Sequence, residues 1–80
     1  MNLEFDPAAD AIYVLFQSDD AAVARTWEVD DCRSVDYDAG DVPIGVELLS
    51  VSGGVDLTGL PRAGEIAGLL AAFRRVPVAS

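Results

Sequence analysis

Five short runs in which apolar and polar residues alternate, separated by turns of a few residues, leave this chain little choice of fold. Leu3 and Phe5 alternate with polar neighbours, and Asp6-Pro7-Ala8-Ala9-Asp10 then forms a turn. Proline presets its own dihedral there, and the aspartates can accept hydrogen bonds from nearby backbone. Ala11 to Phe16 is a strand-length apolar run, broken by Asp19-Asp20. Val23 to Val29 reads as a third strand, ended by Asp30-Asp31-Cys32. Arg33 to Asp38 is a fourth, and Ile44 to Leu49 a fifth. Between these last two, Asp38-Ala39-Gly40-Asp41 is a hairpin turn in which Gly40 is expected to supply the positive φ. Such short turns join antiparallel neighbours, so the sequence predicts a meander in which each strand pairs with the next.

Parity sharpens the prediction. With Asp30-Asp31-Cys32 as a three-residue loop, Val29 faces Arg33. Val23, Arg25, Trp27 and Val29 then share a face with Val35 and Tyr37, and the next hairpin adds Ile44, Val46 and Leu48. Leu3 and Phe5 meet Ile12, Val14 and Phe16 in the first hairpin. Thr26, Glu28, Ser34, Asp36, Asp38 and Glu47 collect on the opposite face, where Tyr13, Leu15 and Leu49 also point. A slip of one residue in any strand would undo this sorting.

The pattern changes after Ser50. Ser52-Gly53-Gly54 reads as a flexible connection and Val55-Asp56-Leu57 as a short extended stretch. Pro61 suits the first turn of a helix. Ile66, Leu69, Leu70 and Phe73 form one apolar stripe. Glu65 near the start and Arg74-Arg75 near the end complement the helix dipole, and Pro77 stops the helix. The expected domain is therefore a single α+β unit over residues 1–80. Residues 1–50 form an antiparallel β-meander of about five strands, 51–60 a connection, 61–75 one helix packed on one face, and 76–80 a tail.

Composition decides which chemistry is open. The chain has 80 residues and 14 acidic against 5 basic side chains, for a net charge of −9 with no histidine. All five basic residues are arginines. A nucleic-acid binder needs a basic face, which five scattered arginines do not make. Histidine bases, lysine Schiff bases and histidine metal sites are absent by composition. No apolar run approaches the roughly 20 residues that span a bilayer, and Met1 to Asp10 has no basic n-region, so a cytoplasmic protein is expected. The excess of Ala, Val, Asp, Gly and Arg suggests a GC-rich bacterial genome. Cys32, the single cysteine, reads as an incidental thiol whose reactivity the preceding aspartates blunt.

Two acidic constellations stand out. Asp36-Tyr37-Asp38-Ala39-Gly40-Asp41, with Glu47 twelve along, superficially resembles a calcium loop, but its glycine is at the fifth position and a strand follows. It reads as a turn, leaving Asp36, Asp38 and Glu47 as weak metal candidates and no metal or cofactor as the expectation. Glu28, Asp36 and Glu47 together read as the solvated outer face of a half-buried sheet, so no catalytic residue is assigned. Arg25, which interrupts the apolar face, reads as an edge arginine with its charged head in solvent, the alternatives being a pair with an acid from the helix end or from a second subunit. Outward Tyr13, Leu15 and Leu49 are candidates for a contact surface. So are Gly64, Gly68 and Ala72, opposite the helix stripe, because interior glycines each cost about 1 kcal/mol relative to alanine.

In order and spacing, Leu3-Glu4-Phe5-Asp6-Pro7-Ala8-Ala9-Asp10-Ala11-Ile12-Tyr13-Val14, Ala24-Arg25-Thr26-Trp27-Glu28-Val29, Val35-Asp36-Tyr37-Asp38 and Ile44-Gly45-Val46-Glu47-Leu48-Leu49 resemble the bacterial domain of unknown function 2283 family. The likeness extends weakly into Val55-Asp56-Leu57-Thr58-Gly59-Leu60-Pro61. Phe5 stands where that family usually has Tyr, Ala8 where it has Glu, and Cys32 where it has Gly. The last departure puts a positive-φ hairpin loop there in doubt. The resemblance implies a fold, transfers no catalytic residue, and suggests an antitoxin-like partner role. The sequence thus predicts a non-enzymatic homo-oligomer, expected as a dimer, that offers its acidic face to a basic protein. The alternative is a small-molecule or divalent-cation binder using surface carboxylates.

Overall fold

The computed structural model describes residues 1–16, 22–73 and 78–79. It contains one five-stranded antiparallel sheet built from β1 (Asn2–Asp6), β2 (Ala11–Leu15), β3 (Arg25–Asp30), β4 (Arg33–Tyr37) and β5 (Pro43–Leu49). One α-helix, α1 (Ala63–Phe73), follows, and a two-residue strand β6 (Val55–Asp56) pairs in parallel with β7 (Val78–Ala79) near the chain end. The α+β class with a C-terminal helix is as the sequence predicts.

The strand order is β1-β2-β5-β4-β3. The two hairpins β1–β2 and β3–β4, and the turn into β5, join neighbours as expected. The step from β2 to β3 does not: β2 pairs with β5, with Val14 opposite Val46 and Ile12 opposite Leu48. This arrangement puts the two most apolar strands side by side at the sheet centre. The more polar β3 takes the edge, where a strand pays least for lacking a second neighbour.

Register follows parity. Leu3, Val14, Val46, Val35 and Trp27 lie in one row across all five strands, and Phe5, Ile12, Leu48 and Arg33 in another. Ile66 and Leu70 of α1 complete the core on that face with Ile12, Val14, Val35, Val46 and Leu48, and all seven are essentially solvent-free. Leu69 and Phe73 are partly buried, Phe73 meeting Phe5 edge-to-face at 5.3 Å. Trp27 shares the apolar face yet stays 47% exposed, because edge strand β3 lies away from the core where α1 packs.

Local details differ from expectation for identifiable reasons. The β3–β4 loop is the two-residue Asp31-Cys32, and Val29, expected opposite Arg33, is bulged out so that Asp30 takes that place. The bulge absorbs the extra residue, so Trp27 still meets Val35 and Arg25 still meets Tyr37. Neither loop residue has positive φ, and Cys32 therefore replaces a glycine without strain. In the next turn Asp41, at φ 64, carries the left-handed conformation and Gly40 does not. Asp38 holds this turn by accepting the N–H groups of Gly40 and Val42, and its strand ends at Tyr37.

The connection is more ordered than its composition suggests. Val51–Gly53 is one 3-10 turn whose Val51 is buried. The helix begins at Ala63, two residues past Pro61, because Arg62 has φ 55 and cannot be helical. Glu65 lies in its first turn. Asp19-Asp20, Arg74-Arg75 and Pro77 lie outside the described residues.

Candidate functional site

The helix covers one face of the sheet, and the other is left open. Reading across the strands, it presents Asn2, Glu4 and Asp6 from β1, Ala11, Tyr13 and Leu15 from β2, and Gly45, Glu47 and Leu49 from β5. Ser34 and Asp36 follow from β4, then Thr26 and Glu28 from β3. Five carboxylates and no arginine project from these positions.

At its centre Tyr13 leans diagonally across β5. Its neighbour there is Glu47, but its ring lies over Gly45, where a β-carbon would fall 2.0 Å from the phenol oxygen. Only glycine leaves that space, so here the missing side chain is a requirement of close approach. The phenol passes over β5 to donate to Asp36 Oδ2 on β4 at 2.8 Å, and Thr26 on β3 donates to Asp36 Oδ1 at 2.6 Å. One hydrogen-bonded strap thus ties β2, β4 and β3 across the outside of β5.

Burial of the phenol raises the Tyr13 pKa above its ordinary 10.0. Donation to Asp36 raises it further, as do the charges of Asp36, Glu47 and Glu4. A phenol held neutral in this way is a donor and no nucleophile at pH 7. Asp36 has a partner on each oxygen.

The face is shallow. A depression of about 410 Å³ opens between the β1–β2 hairpin and the end of β5, lined by Glu4, Asp6, Tyr13, Glu47 and Leu49 among others. The expected metal candidates Asp36, Asp38 and Glu47 are not gathered: Asp36 serves the strap, Asp38 holds its turn, and Glu47 is exposed beside Tyr13. Glu28, Asp36 and Glu47 share the face, with Ser34 between Glu28 and Glu47. Among the described residues no group of three acidic, cysteine or histidine side chains could hold a metal ion.

Of the expected contact residues, Leu15 is half-buried and Leu49 is 38% exposed on the open face. Gly64, Gly68 and Ala72 are exposed on α1, on the other side of the molecule. Nothing lies within 4 Å of a β-carbon built at Gly64 or Gly68, so packing within the chain does not demand glycine there. Arg25 pairs with Asp41 at 2.7 Å and stacks 4.1 Å over the Tyr37 ring, a local partner the sequence reading did not name. The reading also missed the strap. Its signal was the glycine inside β5, since an isolated strand glycine marks a bulge or a close approach.

The remaining motif aspartates are architectural. Asp6 accepts the N–H groups of Ala8 and Ala9. Asp10, at φ 53, accepts the N–H and hydroxyl of Ser52 and so clamps the first hairpin to the 3-10 turn. Arg33 donates to the carbonyls of Asp56 and Thr58, anchoring the connection to β4. Among the described residues no helix is long and apolar enough to cross a membrane.

A family model described as "Protein of unknown function (DUF2283)" matches residues 2–52, well over half of the chain and the whole of the sheet. No curated protein and no solved structure matches.

Proposed function

We propose that this chain, which belongs to the protein family of unknown function DUF2283, is a non-catalytic protein-binding module whose open sheet face receives a basic protein. One observation carries the reading: Glu4, Asp6, Glu28, Asp36 and Glu47 share a face that holds no arginine among the described residues and that the helix leaves uncovered. Complementary charge steers encounter and selects partners, and half-buried Tyr13 and Leu15 with exposed Leu49 supply apolar contact within the acidic field. An antitoxin-like role, in which the partner is a small basic toxin, is the concrete form of this proposal. The same face is ill-suited to meeting its own copy, because like charges would be opposed.

The test is a pull-down from the native organism with the wild-type chain beside an E4Q/E28Q/E47Q variant, which keeps shape and removes three charges. The expected result is a basic protein that binds the wild type, is lost from the variant, and is released by salt. A partner that is acidic, or that the variant retains at wild-type affinity, would overturn the proposal. The cation-binding alternative has only the shallow depression beside Tyr13 in its favour.

A further inference from the structure

Tyr13, Leu15 and Leu49, or Gly64, Gly68 and Ala72 of the helix, are the self-association candidates the sequence offers. The sheet offers a different place. Among the described residues β3 has a hydrogen-bonded neighbour on one side, β4, and none on the other. Among the described residues the most exposed large hydrophobics lie at or near this edge: Trp27 at 47%, Val23 at 52%, and Val42, in the turn that Arg25 bridges, at 45%. Edge strands are usually blunted by charge. Here the charges are arranged so that the edge complements itself.

We infer that two copies of this chain join along β3 in antiparallel fashion, about a twofold axis through Trp27, to make one continuous ten-stranded sheet. A twofold perpendicular to the sheet keeps each face on its own side, so only residues of the same face can stand opposite one another. Trp27 then meets the partner's Trp27, and Thr26 meets the partner's Glu28, hydroxyl to carboxylate. With Val29 bulged out as it is against β4, Arg25 comes opposite the partner's Asp30. Both belong to the apolar face, Arg25 in line with Tyr37 and Asp30 in line with Arg33.

The twofold repeats each pair, giving two Arg–Asp pairs and two Thr–Glu pairs around one tryptophan contact. Moving the axis to Thr26 leaves Arg25 on tryptophan and both acids unmatched, and moving it to Glu28 sets carboxylate on carboxylate. Charge complementarity selects the Trp27 register.

The groups have capacity to spare. Arg25 gives its Nε to Asp41, and a guanidinium has five N–H donors. Asp30 accepts from the Cys32 N–H and from Arg33, about half of what a carboxylate can accept, and its side chain is 48% exposed. Two six-residue edges make a small interface, so association belongs in the micromolar range.

The test uses the full chain and sedimentation equilibrium at tens of micromolar. Wild type is expected at twice the 8.4 kDa chain mass. R25D sets Asp against the partner's Asp30, and D30R sets Arg against the partner's Arg25. Each variant alone is expected to weaken the dimer at least tenfold. Mixed together they are expected to restore it, because each hetero-pair then opposes one arginine to one aspartate at both positions. W27E, which alters no turn, tests the centre of the contact if D30R disturbs its loop. A wild-type mass of one chain overturns the inference. So does a dimer unaffected by R25D and W27E, which would place self-association elsewhere while leaving the proposed acidic-face binding untouched.

Discussion

Replacing Gly45 by alanine tests the strap on the open face. A β-carbon at Gly45 would stand 2.0 Å from the Tyr13 oxygen and 2.5 Å from Cζ, so the ring must swing away. The phenol then loses Asp36, a hydrogen bond to a charged acceptor, worth about 1.5–3 kcal/mol and nearer the lower figure for a half-exposed group. Against this, alanine in a strand is favoured over glycine by about 0.5–1 kcal/mol. The net expectation is a loss of about 1 kcal/mol, which at the urea slope of a small domain moves the midpoint by about 0.5–1 M. The sign reverses in a Y13A background, where the three atoms nearest the new methyl group are gone and G45A should stabilise by about 0.5 kcal/mol. Urea unfolding of wild type, G45A, Y13A and the double variant, followed by far-UV circular dichroism, gives the coupling directly. If G45A is neutral or stabilising with Tyr13 present, the ring does not occupy that space and the strap is wrong.

The other expectations use the same unfolding measurements. Tyr13 has a folded pKa raised above 10.0, so its contribution is complete below that pH and is lost as pH rises through the folded value. Y13F should therefore be less stable at pH 7 and should lose less on going to strongly alkaline pH. Asp30 has the opposite sign: the N–H of Cys32 first, then Arg33, holds its carboxylate below the ordinary 3.8, so its contribution is present above that value and lost as pH falls below it. The difference in melting temperature between wild type and D30N should shrink on acidification, and a constant difference would refute the assignment. D10A should cost about 2–3 kcal/mol, from two lost bonds to Ser52 and a left-handed backbone, while D10G should be milder because glycine tolerates φ 53.

What could be read in the sequence was local or periodic. Alternation gave the faces of all five strands, and the stripe of Ile66, Leu69, Leu70 and Phe73 gave the buried side of α1, because both depend on a period and on nothing remote. The pairing of β2 with β5 is a competition between distant strands. Turn length argues for β3 as the neighbour, whereas the apolar match of Ile12 and Val14 with Leu48 and Val46 favours β5, and burial prevails. Gly40 misled for a related reason: Asp38 fixes its turn through side-chain acceptance, which lets Asp41 take the left-handed position. The strap was hidden because Tyr13, Asp36 and Gly45 lie on three separate strands, and their meeting depends on that same unforeseen pairing.

The distribution of arginine ties the two proposed surfaces together. Arg33 is spent on the carbonyls of Asp56 and Thr58 and on Asp30, and Arg62 on Glu65 and on the face of Phe16. Arg25 stands at the β3 edge on the apolar side of the sheet. None of the three reaches the open face, so its carboxylates have no described cation near them. Charge neutralised within the chain serves the fold, and the uncompensated charge of the open face is what the proposed basic partner would meet. Edge pairing would enlarge this surface, since the twofold through Trp27 sets two acidic faces side by side on the same side of one sheet. A basic partner would then meet a field twice as wide as one chain provides, and R25D should weaken its capture without touching any residue of the face that binds it.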